Sequence, residues 1–267
     1  MRENRIRTIW RGGGAVVNGW LAIPSSVSAE TMAHQGWDSL TVDQQHGIVD
    51  YQAAVTMLQA ISTTDTMPMT RVPWLDPGYV MKMLDAGAYG VICPMINTRA
   101  QAEALVGACR YAPQGYRSFG PLRALMYAGP DYPRKANETV LAIAMIETRT
   151  ALDNLDEIMS VPGLDGIYIG PSDLGLSLGG TPKPDQTDPK VVAAIERILA
   201  SAKRHGVAAG IHCGSTEYAR RMIDLGFRLV TVLSDNALLA GVAKRTVSAL
   251  REGAEGEAGR ETGSGQC

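Results

Sequence analysis

Short apolar runs alternate with longer segments of helical periodicity along most of the chain. This alternation is typical of βαβ units built around a parallel sheet. The apolar runs predict strands at Ala15–Ala22, Ser39–Val42, Met69–Val72, Gly90–Cys93, Leu141–Ile146, Gly166–Ile169, Ala208–His212 and Arg228–Val232. The helical segments are Ser28–Gln35, Tyr51–Ser62, Pro77–Ala86, Arg99–Ala108, Ala151–Met159, Pro189–His205, Ser215–Leu225 and Asn236–Arg251. Eight strands alternating with eight helices predict an α/β fold of the closed (β/α)8 type, with a doubly wound open sheet as the alternative.

Two segments depart from this rhythm. Residues 111–137 are rich in Gly, Pro, Tyr and Arg, and a loop of that length is usually functional or disordered. Residues 252–267 are mostly polar, so we expect a frayed tail or one held by a partner subunit. The prediction is therefore a single barrel domain over residues 1–251, followed by a flexible polar tail.

Composition narrows the function classes. The 267 residues are 45% hydrophobic and carry a net charge of −2, which gives no basic field for nucleic acid or an anionic membrane. No signal peptide and no apolar run of transmembrane length is apparent. The four cysteines form no CxxC pair, as expected for reduced thiols. These features predict a cytoplasmic protein whose partners are small molecules and other subunits.

Catalytic side chains of (β/α)8 barrels lie at the carboxyl ends of the strands. Polar residues follow or end five predicted strands, namely Asp43, Gln44, Gln45 and His46, then Arg71, then Glu147 and Arg149, then Ser172 and Asp173, and finally His212 and Ser215. A candidate base, a guanidinium and two carboxylates therefore converge on one rim. This convergence favours an enzyme.

The two carboxylates, Glu147 and Asp173, follow successive strands, which lie about 5 Å apart in a sheet. Two carboxylates that close raise one pKa unless a cation lies between them. Since the ligands are oxygens, Mg²⁺ or Mn²⁺ is expected, with Co²⁺ as a further option. Either residue alone could instead be a surface charge or, for Asp173, a helix cap.

His46 is the candidate base, because its unperturbed pKa near 6.5 suits proton transfer at neutral pH. Asp43, three residues earlier, could orient its ring. The alternative is a loop histidine with one backbone hydrogen bond. His34 and His205 fall in or near predicted helices, whereas His212 ends a strand and is a further candidate.

Arg71 has a planar fork of donors suited to a carboxylate or an enolate oxygen, with an ion pair at the barrel mouth as the alternative. The turn Gly170-Pro171-Ser172-Asp173 would offer backbone N–H groups to a substrate carboxylate. The six lysines fall in predicted helices or loops, so none is placed for a Schiff base. Polarisation of a keto group would then require a metal.

Six stretches together resemble the HpcH/HpaI aldolase family over residues 15–235. They are GWDSLTVDQQHG (36–47), TRVPW (70–74), GAYGVICPMINTRAQAE (87–103), RYAPQGYRSFGP (110–121), AMIETRTALDNLDEI (144–158) and VPGLDGIYIGPSDL (161–174). The resemblance implies a modified (β/α)8 TIM barrel of the phosphoenolpyruvate/pyruvate-binding type. It also implies a last helix that packs on a neighbouring subunit, in a homo-oligomer assembled as a hexameric trimer of dimers.

By matching position, the resemblance implies Glu147 and Asp173 as metal ligands and His46 with Asp43 as the base. Arg71 would hold the keto or enolate oxygen, and the amides of Ser172 and Asp173, after Gly170, the carboxylate. One departure is Gln45, where heptanedioate aldolases resemble D-x-E-H, which questions a dicarboxylic substrate. Segment 111–137 is expected to help build the acceptor side.

The function predicted on this basis is a metal-dependent class II aldolase, an aldehyde-lyase. It would add the enolate of pyruvate or hydroxypyruvate to an aldehyde and catalyse the reverse cleavage. One alternative is a CoA-thioester lyase of the malate or citramalate type, which would need a basic nucleotide patch. The other is a non-catalytic ligand-binding barrel.

Overall fold

The computed structural model describes residues 1–261 and contains a closed barrel of eight parallel strands. Each strand pairs with the next along the chain, and the last strand pairs with the first. The strands are β1 (Val16–Leu21), β2 (Ser39–Asp43), β3 (Met67–Arg71), β4 (Gly90–Cys93), β5 (Leu141–Ile146), β6 (Gly166–Ile169), β7 (Ala208–Cys213) and β8 (Leu229–Val232). All eight predicted strands are confirmed, and the open doubly wound sheet was wrong.

Continuous burial explains why these segments form strands. β5, with the sequence LAIAMI, is buried at all six positions, as expected where helices cover the outer face of a parallel sheet. The barrel interior also holds a buried polar cluster around Asn18. Its Nδ2 donates to Thr231 Oγ1 at 2.9 Å, and its Oδ1 accepts from the hydroxyls of Ser39 and Thr41 at 2.8 and 3.1 Å. Each side-chain amide group of Asn18 therefore has a partner inside the core.

The helices of the described residues pack around this barrel. They are α1 (Arg5–Arg11), α2 (Ser26–Ala33), α3 (Tyr51–Ile61), α4 (Pro77–Asp85), α5 (Arg99–Cys109), α6 (Leu122–Ala128), α7 (Tyr132–Thr139), α8 (Arg149–Asp153), α9 (Leu155–Met159), α10 (Pro171–Ser177), α11 (Pro189–His205), α12 (Thr216–Leu225) and α13 (Asp235–Glu261). The eight predicted helical segments are all found, although 151–159 is split into α8 and α9 at Asn154. Helices α1, α6, α7 and α10 were not predicted. None of the described helices is long and apolar enough to cross a membrane.

Segment 111–137 is an ordered, helical part of the molecule, so its prediction as a long loop was wrong. It contains α6 and most of α7. Arg117 anchors it, because its Nη2 donates to Asp85 at 2.7 Å and its Nη1 to the Tyr132 hydroxyl at 2.9 Å. Helices of seven and eight residues give too few turns for a clear apolar period, and this explains the error.

The last helix, α13, begins directly after β8 and runs from Asp235 to Glu261. The helix thus continues ten residues beyond the end predicted from the sequence. The frayed tail predicted for 252–267 stays a prediction, since residues 262–267 lie outside the described residues. The same holds for the boundary of the barrel domain at residue 251 and for the packing of the last helix on another subunit.

Candidate active site

A cavity of about 380 Å³ opens at the carboxyl ends of the strands. Most of the predicted site residues line it. The lining residues that carry polar side chains, a helix start or aromatic rings are Trp20, Asp43, His46, Arg71, Tyr168, Gly170, Ser172, Asp173, His212 and Ser234. The structure therefore brings together the rim residues of strands two, three, six and seven, with β1 added.

Asp43 and Arg71 form a buried, two-pronged ion pair between neighbouring positions of β2 and β3. Arg71 Nε donates to Asp43 Oδ1 at 2.8 Å, and Nη2 donates to Oδ2 at 2.7 Å. Burial by itself would raise the pKa of Asp43. The hydrogen bonds and charge of Arg71, together with the Trp20 indole, outweigh burial and leave this pKa below its usual value. Asp43 is therefore a fixed anion that aligns the guanidinium.

His46 lies exposed at the cavity rim, three residues after the end of β2. Its backbone N–H points to Asp43 Oδ1 at 3.4 Å, and the backbone N–H of Gln45 donates to the same oxygen at 3.1 Å. The carboxylate oxygens of Asp43 thus bind the Arg71 side chain and the backbone N–H groups of the turn that follows β2. The expected contact between Asp43 and the His46 ring is not formed, because Arg71 occupies both carboxylate oxygens.

Glu147 lies directly after β5 and is almost completely buried. Its Oε1 accepts the backbone N–H of Met95 at 2.8 Å, from a turn where Met95 adopts a left-handed φ of 56°. Its Oε2 lies where a side chain at Gly170 would project, so a side chain at that position would displace the Glu147 carboxylate. Burial and the charge of Asp173 raise the pKa of Glu147 to about 7, against lowering by the Met95 N–H and Arg71.

Asp173 lies in the first turn of α10, which begins at Pro171 after Gly170. Gly170 has no side chain to cap the helix, so the first backbone N–H groups of α10 lack a capping side chain, and Ser172 and Asp173 line the cavity. Glu147 itself is not a lining residue but lies just behind Gly170. The predicted pair of carboxylates is therefore close in space, and the charge of Asp173 helps to raise the pKa of Glu147.

The described residues hold no group of three or more His, Cys, Asp or Glu side chains arranged around one point. A metal at this rim would have only Glu147 and Asp173 as charged ligands, as predicted. These two residues fit a hard divalent cation, because such an ion would stabilise two neighbouring carboxylates, of which Glu147 has a raised pKa. Remaining ligands would come from water and substrate.

One wall of the cavity is formed by residues 181–188, which connect α10 to α11. Pro184 lines the cavity. Asp185 accepts the backbone N–H of Gly214 at 2.6 Å and the hydroxyl of Ser215 at 2.7 Å. The buried Gln186 donates to the carbonyls of Pro171 and Lys183 at 3.0 and 2.9 Å. Both sides of the segment are therefore fastened to the barrel.

Trp20 and Tyr168 were not predicted from the sequence as site residues, and His212 was given only as a further candidate. Trp20 stacks on Tyr168, with ring centroids 5.7 Å apart, and the Arg71 guanidinium lies 4.8 Å from its ring centroid. His212 meets the edge of Trp20 and lies 3.2 Å from the Tyr168 hydroxyl. The alternation of side chains along a strand could have indicated Trp20, since Asn18 and Trp20 share the inward face of β1. No residue of 111–137 lines the cavity in the described chain, contrary to expectation.

The lysine prediction is confirmed. Lys82, Lys135, Lys190, Lys203 and Lys244 lie in helices, and Lys183 lies in the segment between α10 and α11. None lies on a strand or lines the cavity. The described chain therefore offers no amine for an imine mechanism at this site.

Comparisons with known proteins identify the family of this chain. The profile of the HpcH/HpaI aldolase/citrate lyase family matches residues 18–240. A hydroxypyruvate/pyruvate aldolase of Rhizorhabdus wittichii is 44% identical over 248 residues, covering 93% of this chain and 99% of that protein. A 4-hydroxy-2-oxo-heptane-1,7-dioate aldolase of Escherichia coli is 36% identical over 247 residues, covering 91% of this chain and 93% of that protein.

A solved structure gives the same answer for the fold. An HpcH/HpaI aldolase/citrate lyase family protein of Burkholderia cenocepacia superposes with a TM-score of 0.87 at 33% identity, covering 93% of this chain and 99% of that one. The predicted family, barrel and relationship to aldehyde-lyases are thus confirmed. This chain belongs to the HpcH/HpaI aldolase/citrate lyase family.

Proposed function

We propose that this chain is a divalent-metal-dependent class II aldolase acting on 2-oxo acids. It adds the enolate of pyruvate or hydroxypyruvate to an aldehyde and catalyses the reverse cleavage. The observation that carries the proposal is the Glu147 carboxylate, buried beside Asp173 with one oxygen turned toward Gly170 at the cavity wall. A carboxylate buried in this way stabilises the fold poorly and suits a cation site.

Glu147 and Asp173 would hold the metal, and their oxygens favour Mg²⁺ or Mn²⁺, with Co²⁺ as a third candidate. Family members generally depend on a divalent metal. When bound, such an ion supplies Lewis acidity that polarises the keto oxygen of the substrate. Gly170 keeps the space open, because any side chain there would displace the Glu147 carboxylate.

Arg71 binds the keto oxygen and stabilises it as charge develops. Asp43 takes Nε and one hydrogen of Nη2, so Nη1 remains to donate to substrate. The substrate carboxylate accepts from the backbone N–H groups of Ser172 and Asp173 at the start of α10. These donors are fixed before substrate arrives, which is how electrostatic stabilisation of an enolate is most effective.

His46 moves the proton at C3. Its side chain is exposed at the cavity rim, and its backbone is held by the turn that Asp43 organises. The contribution of Asp43 is thereby indirect: it orients Arg71 and fixes the turn that carries His46. In the aldol direction the enolate carbon bonds to the aldehyde carbon, and the aldehyde oxygen, left with the carbonyl electrons, takes up the proton that was removed from C3. In the cleavage direction this hydroxyl loses its proton, the same bond breaks with its electrons passing to the enolate, and the aldehyde leaves.

The two alternatives are less well supported. A CoA-thioester lyase would need cations for the nucleotide phosphates, and Arg71 is the only arginine or lysine among the described residues that line the cavity. A non-catalytic barrel would not need a buried acid with a pKa near 7 beside a second carboxylate. The geometry therefore favours the aldolase.

One assay tests the proposal against both alternatives. Metal-stripped protein is mixed with pyruvate or hydroxypyruvate in D₂O, with and without Mg²⁺, Mn²⁺ or Co²⁺, and C3 proton exchange is followed by NMR. A panel of aldehydes is then added, and malyl- and citramalyl-CoA are tested in parallel. Metal-dependent exchange and aldol product are expected. Full activity of rigorously metal-free protein would refute the mechanism.

We also propose that α13 packs on a neighbouring subunit in a hexamer built as a trimer of dimers, within the cytoplasm. In support, its apolar side chains Leu239, Val242, Val247 and Leu250 are exposed in the single chain. Light scattering after chromatography should give a hexamer, and Leu239→Asp with Leu250→Asp should yield smaller species. A wild-type monomer would refute the assembly.

A further inference from the structure

His212 occupies the cavity wall at the end of β7, and the reaction proposed above leaves it without a role. Its ring meets the Trp20 ring edge-on, with centroids 5.4 Å apart and an interplanar angle of 82°. Its Nδ1 lies 3.2 Å from the hydroxyl of Tyr168. Ring position and rotation are therefore both fixed, and the remaining nitrogen, Nε2, is the one free to bind a ligand.

The Tyr168 hydroxyl, 3.2 Å from Nδ1, bears on which nitrogen of His212 carries hydrogen. Burial raises the pKa of Tyr168, so its phenol keeps its proton and can donate to His212 Nδ1. With the phenol as donor, Nδ1 accepts, and a neutral imidazole then has its hydrogen on Nε2. In this arrangement His212 presents an N–H donor to the cavity.

His212 also stays neutral at physiological pH. Burial lowers its pKa to about 4, and the nearby Arg71 charge acts in the same direction, against the weaker pull of Asp43 and Asp185. A neutral ring with Nδ1 occupied is a poor base. It is a hydrogen-bond donor of constant charge, held by aromatic packing.

The surroundings of His212 indicate which part of the substrate it meets. The oxygens of the 2-oxo acid already have donors in Arg71 and the start of α10. The other side of the cavity is lined by the apolar side chains of Ala22, Pro184, Leu233 and Ala237, together with the hydroxyl-bearing Ser234. Among the described lining residues this side offers no cation for a second carboxylate, so the aldehyde part should be neutral.

We propose that the Nε2–H of His212 donates to an oxygen of the aldehyde substrate and selects small, neutral α-hydroxyaldehydes over apolar aldehydes of the same size. This specificity rests on the proposed aldolase function. A site that provides a polar partner discriminates against an analogue lacking the matching group, because the partner would be left unpaired in a desolvated pocket. Tyr168 is a positioning residue, since it acts only through the tautomer of His212.

Glycolaldehyde and propanal test this proposal, because they differ by a hydroxyl in place of a methyl group. His212→Phe keeps an aromatic ring against Trp20 but removes the donor, whereas His212→Gln keeps an N–H group. The kcat/KM ratio of glycolaldehyde to propanal, with pyruvate saturating, should fall about 3- to 10-fold in His212→Phe, the range of one hydrogen bond. It should stay within about twofold in His212→Gln. An unchanged ratio in His212→Phe would overturn the assignment.

A second measurement does not depend on activity. In ¹⁵N-histidine-labelled protein the signals of His212 are identified by their loss in His212→Gln, and the Nε2–H tautomer is expected. In Tyr168→Phe the tautomer should shift toward Nδ1–H, and the aldehyde ratio should fall as in His212→Phe. An Nδ1–H tautomer in the wild type would overturn the proposal while leaving the aldolase function intact. Failure of wild-type C3 proton exchange with every metal would instead remove the aldolase function and this specificity with it.

Discussion

The two ends of the barrel each hold a largely buried carboxylate, and the two carboxylates differ in how many donors they bind. At the amino-terminal end, Asp165 accepts from Arg7 at 2.7 Å, from Arg110 at 2.6 Å and from the backbone of Ala142 at 2.8 Å. At the carboxyl-terminal end, Glu147 accepts from a single backbone N–H, that of Met95. One carboxylate is saturated by fixed donors and the other is not.

By volume alone, the amino-terminal end of the barrel would be the better candidate for a functional site. The cleft at the amino-terminal end, lined by Arg7, Trp10, Lys203 and Arg228 among others, measures about 480 Å³ and is the larger of the two. Three of its four arginine and lysine side chains are already hydrogen-bonded: Arg7 to Asp165, Lys203 to a carbonyl at the end of α12, and Arg228 to Gly13. Polar groups without partners, rather than volume, distinguish a site for chemistry from a structural cleft.

Removal of a proposed metal ligand should have the largest effect of these substitutions. Glu147→Gln or Asp173→Asn removes one of two charged ligands, so metal affinity should fall by more than about 100-fold, beyond the usual effect of a residue that only supports a ligand. Aldol activity should disappear at low metal concentration. Titration calorimetry with Mn²⁺ measures the affinity. Asp165→Asn is the matched control, and equal Mn²⁺ affinity in wild type and Glu147→Gln would place the metal elsewhere.

Loss of the base should have the next largest effect. His46→Ala should slow exchange of the pyruvate methyl protons with D₂O by about 10²- to 10⁴-fold, the usual contribution of general base catalysis. The melting temperature should hardly change, because the side chain is exposed. Mn²⁺ affinity serves as the control and should stay near wild type. Exchange at the wild-type rate would assign the proton transfer to another group.

The two arginine–carboxylate pairs should respond differently to substitution. Arg71→Ala and Asp165→Asn should each destabilise the fold by about 3–5 kcal/mol, as expected when a buried charge loses its partner. Only Arg71→Ala should also lower kcat and kcat/KM for cleavage, and Arg71→Lys should already be impaired because it lacks the fork. Urea unfolding and steady-state kinetics on the same samples decide. A destabilised but fully active Arg71→Ala would show a purely structural pair.

The smallest effect expected is on the pH dependence of stability. The pKa of His212 is lowered to about 4 in the fold from 6.5, so its contribution to stability is fully present above pH 6.5 and is lost as pH falls toward 4. Wild type should therefore lose about 2–3 kcal/mol more than His212→Gln over this range. Urea unfolding at pH 7, 5.5 and 4 measures the difference. Parallel curves would show that the ring is accessible to protons in the fold.

The sequence predicted the rim well, because strand ends in a barrel converge by topology. Asp43, Arg71, Glu147 and Asp173 all lie where the apolar runs stop. The partner of Asp43 could not be predicted in the same way. Its choice of Arg71 over His46 depends on the register between β2 and β3, which places residues 28 positions apart side by side.

Two further errors have a common physical origin. Trp20 is embedded in an apolar strand, so it resembles an ordinary core residue until the inward face of the barrel is known. Helix α10 has only seven residues and contains Gly175, so its periodicity is weak. In both cases the function of the segment follows from tertiary position, which local sequence signals do not encode.

The fastening of segment 181–188 has a kinetic consequence. Because Asp185 ties it to the β7–α12 turn and Gln186 ties it to α10, this wall is in place before any ligand arrives. We therefore expect that substrate binding is not followed by the microsecond-to-millisecond closure that mobile lids impose. Turnover should depend on bond making and on how readily a product of given girth diffuses past Pro184. Larger aldol products are thus expected to leave more slowly, even where their chemistry is equally fast.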